Sequence, residues 1–173
     1  MIIPDLLEKS INLVDIGAVG NPPPHWLPLK DKIHLFGFEP NKDECNKLND
    51  SNCVYKKSEF LPYAVGEKDE SRPFYITEYH ECCSLLKPNL VWLNRFNYSS
   101  FFNVKQMIEV ETVSLDSIKK FSNIYIDALK IDAQGNELPI LKGATSLLKH
   151  VFLIEIESGL HKNYENETTF SEL

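Results

Sequence analysis

Four acidic residues stand at or near the ends of short apolar runs: Asp15, Glu39, Asp132 and Glu155. A carboxylate drawn in beside an apolar strand is costly unless something meets it. Four along one edge of a sheet therefore point to a cationic or hydroxyl-rich ligand. Asp15 leads into a turn with small residues at Gly17, Ala18 and Gly20, which let the backbone approach a ligand closely. Glu39 follows Gly17 by 22 residues, at the end of the next apolar run. A carboxylate there can accept two hydrogen bonds from a ribose. A dinucleotide would need a G-x-G-x-x-G turn to hold its pyrophosphate. This turn is G-x-x-G, and Asp15 just before it would repel a pyrophosphate while attracting an ammonium. The pattern favours S-adenosylmethionine over NAD. The plain alternative is that Asp15 orients the turn and Glu39 caps the following helix.

The elements that must position these groups alternate as strand and helix, the rhythm of a parallel sheet covered on both faces. Residues 11–16, 33–38, 128–132 and 151–156 read as core strands, with a further strand within 53–65. Pro22, Pro23 and Pro24 make the first crossover helix short or distorted, because proline does not suit a helix interior. Asn41 with Glu44 three residues on forms a capping pair for a helix running to about Leu48. Residues 74–77 and 108–113 read as additional strands, and residues 115–121 as a short helix. Asn136 can cap a helix whose apolar face is Leu138, Leu141, Ala144, Leu147 and Leu148. Residues 78–104 carry Trp92, Phe96, Tyr98, Phe101 and Phe102, which suit core or lid packing, or an acceptor pocket.

The 173 residues argue for a single domain with a real core. A net charge of −7 excludes a broad nucleic-acid footprint, which needs clustered Lys and Arg. Cys45, Cys53, Cys82 and Cys83 contain no C-x-x-C pair, so reduced thiols in a cytoplasmic protein are expected, with no disulfide framework. No signal peptide, membrane span or metal site is expected; His80-Glu81-Cys82-Cys83 lacks a second ligand group at useful spacing.

The segments Val14-Asp15-Ile16-Gly17-Ala18, Gly37-Phe38-Glu39-Pro40-Asn41 and Leu129-Lys130-Ile131-Asp132-Ala133-Gln134-Gly135-Asn136-Glu137 resemble the FkbM-type methyltransferases. Ala64-Val65-Gly66, Ser84-Leu85-Leu86, Thr112-Val113-Ser114-Leu115-Asp116 and Leu141-Lys142-Gly143-Ala144 extend the match over residues 11–157. The resemblance implies an α/β, Rossmann-like class I methyltransferase fold with a mostly parallel, doubly wound sheet, and S-adenosylmethionine-dependent methylation of a hydroxyl on a sugar, glycan or natural product. By position, Asp15, Gly17, Ala18 and Gly20 would line the methionine part of the cofactor. Glu39 would hold the ribose, with Pro40 and Asn41 beside the adenosine and Ala64 and Val65 near the adenine. Relative to the family the chain looks cut short after residue 173, lacking the terminal strand pair. An open sheet edge would result, to be covered by a partner or a second copy.

Methyl transfer to a hydroxyl needs alignment behind the activated carbon and a base to take the proton. Asp132 is the first candidate, with Glu155, His80 and His161 as alternatives. Asp132 has two other roles open to it, binding the cofactor's ammonium or pairing with Lys130. Gln134 and Glu137 are candidate substrate contacts, Glu137 being equally suited to complement its helix dipole. An NAD-dependent sugar-modifying enzyme and a non-catalytic Rossmann-like binding module are the competing classes.

Overall fold

The structure is a computed structural model that describes residues 8–18 and 22–173. Five strands form one wholly parallel sheet: β1 (Ile11–Ile16), β2 (Ile33–Phe38), β3 (Lys57–Leu61), β7 (Ala128–Ile131) and β8 (Leu153–Ile156). Their order is β3-β2-β1-β7-β8. The direction of winding reverses between β1 and β7, which opens a crevice at their carboxyl ends. The central strands are buried on both faces, so they are nearly continuous apolar runs. Alternate residues feed separate cores. Val14, Ile16, Phe36 and Phe38 face Leu129, Ile131 and Ile140. Leu13, Ile33 and Leu35 face Trp26, Tyr55 and Phe60 on the other side.

A smaller mixed sheet packs beside the first. It contains β4 (Ala64–Val65), β5 (Glu70–Thr77) and β6 (Val104–Val113), in the order β4-β6-β5. The third strand expected within 53–65 is therefore two strands, β3 and β4, lying in different sheets. The strands expected at 74–77 and 108–113 are one antiparallel pair, longer than their alternation suggested.

The helices are short. α1 (Lys42–Asp50) starts at Asn41, whose side chain accepts from the backbone N–H groups of Asp43 and Glu44. Such a cap contributes about 1 kcal/mol. The reciprocal half of the expected capping pair does not form, because Glu44 instead meets Lys47 at 2.6 Å. After β1, no α-helix is assigned among the described residues before α1; Trp26 is buried, and a 3-10 turn over residues 27–32 leads into β2. α2 (Leu90–Leu93) sits in the aromatic segment, where Trp92, Phe96, Tyr98 and Phe102 stack on one another and on Tyr164. Residues 115–121 form 3-10 turns, not an α-helix. α3 (Glu137–Lys142) is one and a half turns long and stops at Gly143, where a Cβ would overlap the Gly66 carbonyl. The helix expected to continue to Leu148 breaks there, and Leu147 falls in a separate 3-10 turn.

β3 and β8 are the sheet's two edges among the described residues, and Phe152, Leu153 and Ile154 are exposed along β8. Among the same residues no helix is long and apolar enough to cross a membrane.

Candidate active site

A cleft of about 670 Å³, counting the open space at its mouth, lies over the carboxyl ends of β1, β2 and β7. Three strand ends reach into it, and Glu81 adds a carboxylate from the side. Glu39 follows β2, Asp132 follows β7, and the Gly17 turn leaves β1. Ala64, Val65, Phe74 and Leu85 supply an apolar wall. His80, Cys83, Ser84 and Gln134 close it from the side.

Glu39 is 2% exposed. Its Oε1 accepts the Asn41 backbone N–H at 2.8 Å, so the carboxylate does the capping work first assigned to Glu44 while still lining the cleft. Burial raises its pKa to about 7, the Asn41 bond opposing and Glu44 adding to the rise. A carboxyl held near neutrality at the end of a strand gains from any ligand that donates to its ionised form.

Gly17 has φ +79, and a Cβ there would overlap the Asp132 carbonyl oxygen. The glycine is thus required by the close approach of β7's end, and it lines the first cleft as well. Asp132 is fixed in turn: its backbone N–H donates to Ile16 O at 3.0 Å. Its Oδ1 accepts from Gln134 Nε2 at 2.7 Å.

Asp15 is the main correction. Parallel register sets it opposite Lys130, and the two side chains meet at 2.9 Å with both about nine-tenths buried. Burial alone would lower the Lys130 ammonium, but Asp15, Asp132 and Glu155 around it drive it net upward. The Asp15 carboxylate meets Lys130 and lines a different cavity from Glu39. That second cavity, about 1200 Å³ with its open mouth, also touches Ala18, Tyr55, Lys130, Glu155 and Glu157. Asp132 lines both spaces. The Asp132–Lys130 pair, one of the two alternative roles for Asp132, does not form: Lys130 meets Asp15, and Asp132 meets Gln134.

Glu155 is held by the proline-rich segment, accepting from Trp26 Nε1 at 2.8 Å and meeting His25 Nε2 at 2.9 Å. Burial pushes its carboxyl up, but those two bonds and the nearby charges outweigh it. It lines the second cavity only. Glu157, which the sequence did not single out, is pushed up first by the charge of Asp132 and then by burial.

Glu137 is 1% exposed and accepts the Gly135 N–H at 2.9 Å. It ties the 133–137 turn and reaches neither cavity, which corrects its assignment as a substrate contact. Asn136 does not cap α3 with its side chain, which instead donates to Val65 O at 3.0 Å. Gln134 does line the first cleft, on a left-handed backbone with φ 51. His80 stands in the same wall, and its Nδ1 is buried with no partner among the described residues. His161 lies outside both cavities and packs on Trp92. Pro40, Ala64 and Val65 line the first cleft, Asn41 supplies the N–H to Glu39, and Ala18 lies on the second cavity. Gly20 lies outside the described residues. Tyr63, Phe74, Cys83 and Leu85 are cleft residues that the sequence did not assign; the alternation of β5 carries a signal for Phe74, while Tyr63 depends on the tight β3–β4 corner.

The parallel order with its winding reversal, and carboxylates at the ends of β2 and β7 across the crevice, make a Rossmann-like α/β fold. The methyltransferase FkbM domain matches residues 19–173, and the chain belongs to that family. Hexuronic acid methyltransferase AglP of Haloferax volcanii is 24% identical over 156 residues, covering 88% of this chain. The chain spans 59% of that relative's length. A crystal structure of methyltransferase FkbM from Methylobacillus flagellatus KT is 17% identical, with a TM-score of 0.45; the match covers 86% of this chain and 34% of that one.

Proposed function

We propose that the cleft between Glu39 and Asp132 binds S-adenosylmethionine and that the chain transfers its methyl group to a hydroxyl oxygen of a sugar, glycan or natural product. The observation that carries the proposal is the pairing of two strand-end carboxylates across one apolar-walled cleft. The residues present fit the cofactor. Glu39 suits a ribose diol, while Val65, Phe74 and Leu85 suit a purine. Asp132 suits the ammonium of the amino-acid tail or the incoming acceptor, and His80 Nδ1 is an orphaned polar atom awaiting a partner. Bound there, the cofactor supplies a methyl carbon already activated by its sulfonium.

The chain's own work is alignment and proton removal. Asp132 borders both spaces, so an acceptor entering from the second cavity reaches it from the far side of the cofactor cleft. In this reading Asp132 accepts the hydroxyl proton as the oxygen–carbon bond forms. Family membership supports methyl transfer, and the hexuronic acid methyltransferase relative supports a sugar acceptor.

The test is transfer of tritiated methyl from S-adenosylmethionine to a panel of neutral hexosides and hexuronides. Incorporation that Asp132→Asn reduces to a slow residual rate supports the proposal. A protein that binds NAD and ignores S-adenosylhomocysteine would overturn it.

A further inference from the structure

The group most firmly tied to Asp132 reaches it from outside the strand edge. Gln134 Nε2 donates to Asp132 Oδ1 at 2.7 Å. The other end of the same amide, Oε1, lies 3.2 Å from the Tyr164 hydroxyl, which also reaches Cys82 O at 2.9 Å. Gln134 is anchored at its backbone too: its carbonyl accepts from the Ser84 hydroxyl at 2.8 Å. It holds a left-handed backbone conformation, φ 51, which a non-glycine residue adopts only where its surroundings insist.

Tyr164 is a rigid mount. It is 1% exposed and packs with Leu93 and Phe102. Its own backbone N–H donates to Glu167 Oε2 at 2.8 Å. Backbone bonds from Asn89 to Asn163, from Glu165 to Lys87 and from Thr168 to Gly135 stitch the surrounding segment onto the cleft wall and the 133–137 turn. The amide is therefore held by Asp132 at its donor end and, at its acceptor end, by a Tyr164 hydroxyl proton shared with Cys82 O.

We infer that Gln134, steadied by Tyr164, is a positioning residue that fixes the Asp132 carboxylate for methyl transfer. This rests on the reading of Asp132 as the proton acceptor. An amide suits the task because it donates to the carboxylate without supplying a competing charge. Glu157 already presses a negative charge on Asp132 from the end of β8, while Lys130 is committed to Asp15 and Glu155 to His25 and Trp26. With Oδ1 held by Gln134 and Glu157 beside it, the carboxylate is fixed in one orientation at the border of the two cavities. Misplacement of a reacting group by about 1 Å can cost on the order of a hundredfold in rate.

The experiment is single-turnover transfer of tritiated methyl to methyl β-glucoside and methyl β-glucuronide, alongside calorimetric affinity for S-adenosylhomocysteine. Gln134→Asn keeps an amide, tolerates the left-handed backbone and is too short to reach Asp132. Tyr164→Phe keeps the buried ring and removes the clamp. The expected result for Gln134→Asn is a rate about tenfold to a hundredfold lower, with cofactor affinity within about twofold of wild type. Tyr164→Phe gives a smaller loss in the same direction. In an Asp132→Asn background, Gln134→Asn costs nothing further, because a residue acting only through another has no effect once that other is gone.

A wild-type rate in Gln134→Asn overturns the inference. So does an undiminished effect of Gln134→Asn in the Asp132→Asn background, or loss of cofactor affinity in step with rate. A wild-type rate in Asp132→Asn alone instead sinks the assignment of Asp132, whatever Gln134 does.

Discussion

Cofactor affinity should depend on pH through Glu39, in a direction opposite to the stability of the empty protein. Burial moves this carboxyl from its ordinary 4.5 to about 7. The folded state thus retains a proton that the unfolded chain releases. Its contribution to stability is complete below pH 4.5 and is lost as pH rises through about 7, a change on the order of 3 kcal/mol. A ribose diol donates two hydrogen bonds, and only the ionised carboxylate accepts both. At pH 8 most Glu39 is ionised and at pH 6 about one-tenth is, so affinity for S-adenosylhomocysteine should fall about tenfold between them, or about 1.4 kcal/mol. Glu39→Gln removes the titration. It should bind more weakly at pH 8 by about 1.5–3 kcal/mol, the worth of hydrogen bonds to a charged group, with little slope between pH 6 and 8. Isothermal titration at several pH values reads both. An affinity flat with pH in the wild type, or an equal slope in Glu39→Gln, would refute the placement of the ribose on Glu39.

Lys130→Met should lower stability by about 3–5 kcal/mol, because Asp15 would be left as an uncompensated buried charge. The double variant with Asp15→Asn should recover most of the loss in a denaturant titration, and no recovery would mean that the pair is not coupled. Gly17→Ala should cost at least about 2 kcal/mol, since it adds left-handed strain to overlap with the Asp132 carbonyl. A melting temperature unchanged by that substitution would show that the β1 turn is not pinned against β7.

Much of the sheet was legible because its strands are short apolar runs bounded by turn residues, as at residues 11–16 and 33–38. Glu39 was legible for the same reason: it ends a run and precedes Pro40. What sequence hid was the partner of each charge. Asp15 and Lys130 lie 115 positions apart, and only the parallel register of β1 with β7 brings them level. With the pair unseen, Asp15 looked free for an ammonium. Glu137 suited a first-turn dipole role or a substrate contact, yet Gly135's left-handed φ of 101 folds the turn so that its amide meets that carboxylate inside. Gly143 was read as part of a continuing helix, because its contact with the Gly66 carbonyl depends on where β4 ends. Tyr164 gave no signal at all: its role comes from a segment that returns to the site after β8.

In the proposed function Glu39 and Asp132 bracket a sulfonium nucleoside. Side-by-side calorimetric titration of the protein with S-adenosylhomocysteine and with NAD checks this placement. One molar equivalent of S-adenosylhomocysteine should bind, with affinity reduced in Glu39→Ala by about 1–3 kcal/mol, while NAD gives no heat. Heat from NAD alone, or an S-adenosylhomocysteine isotherm that Glu39→Ala leaves unchanged, would contradict it.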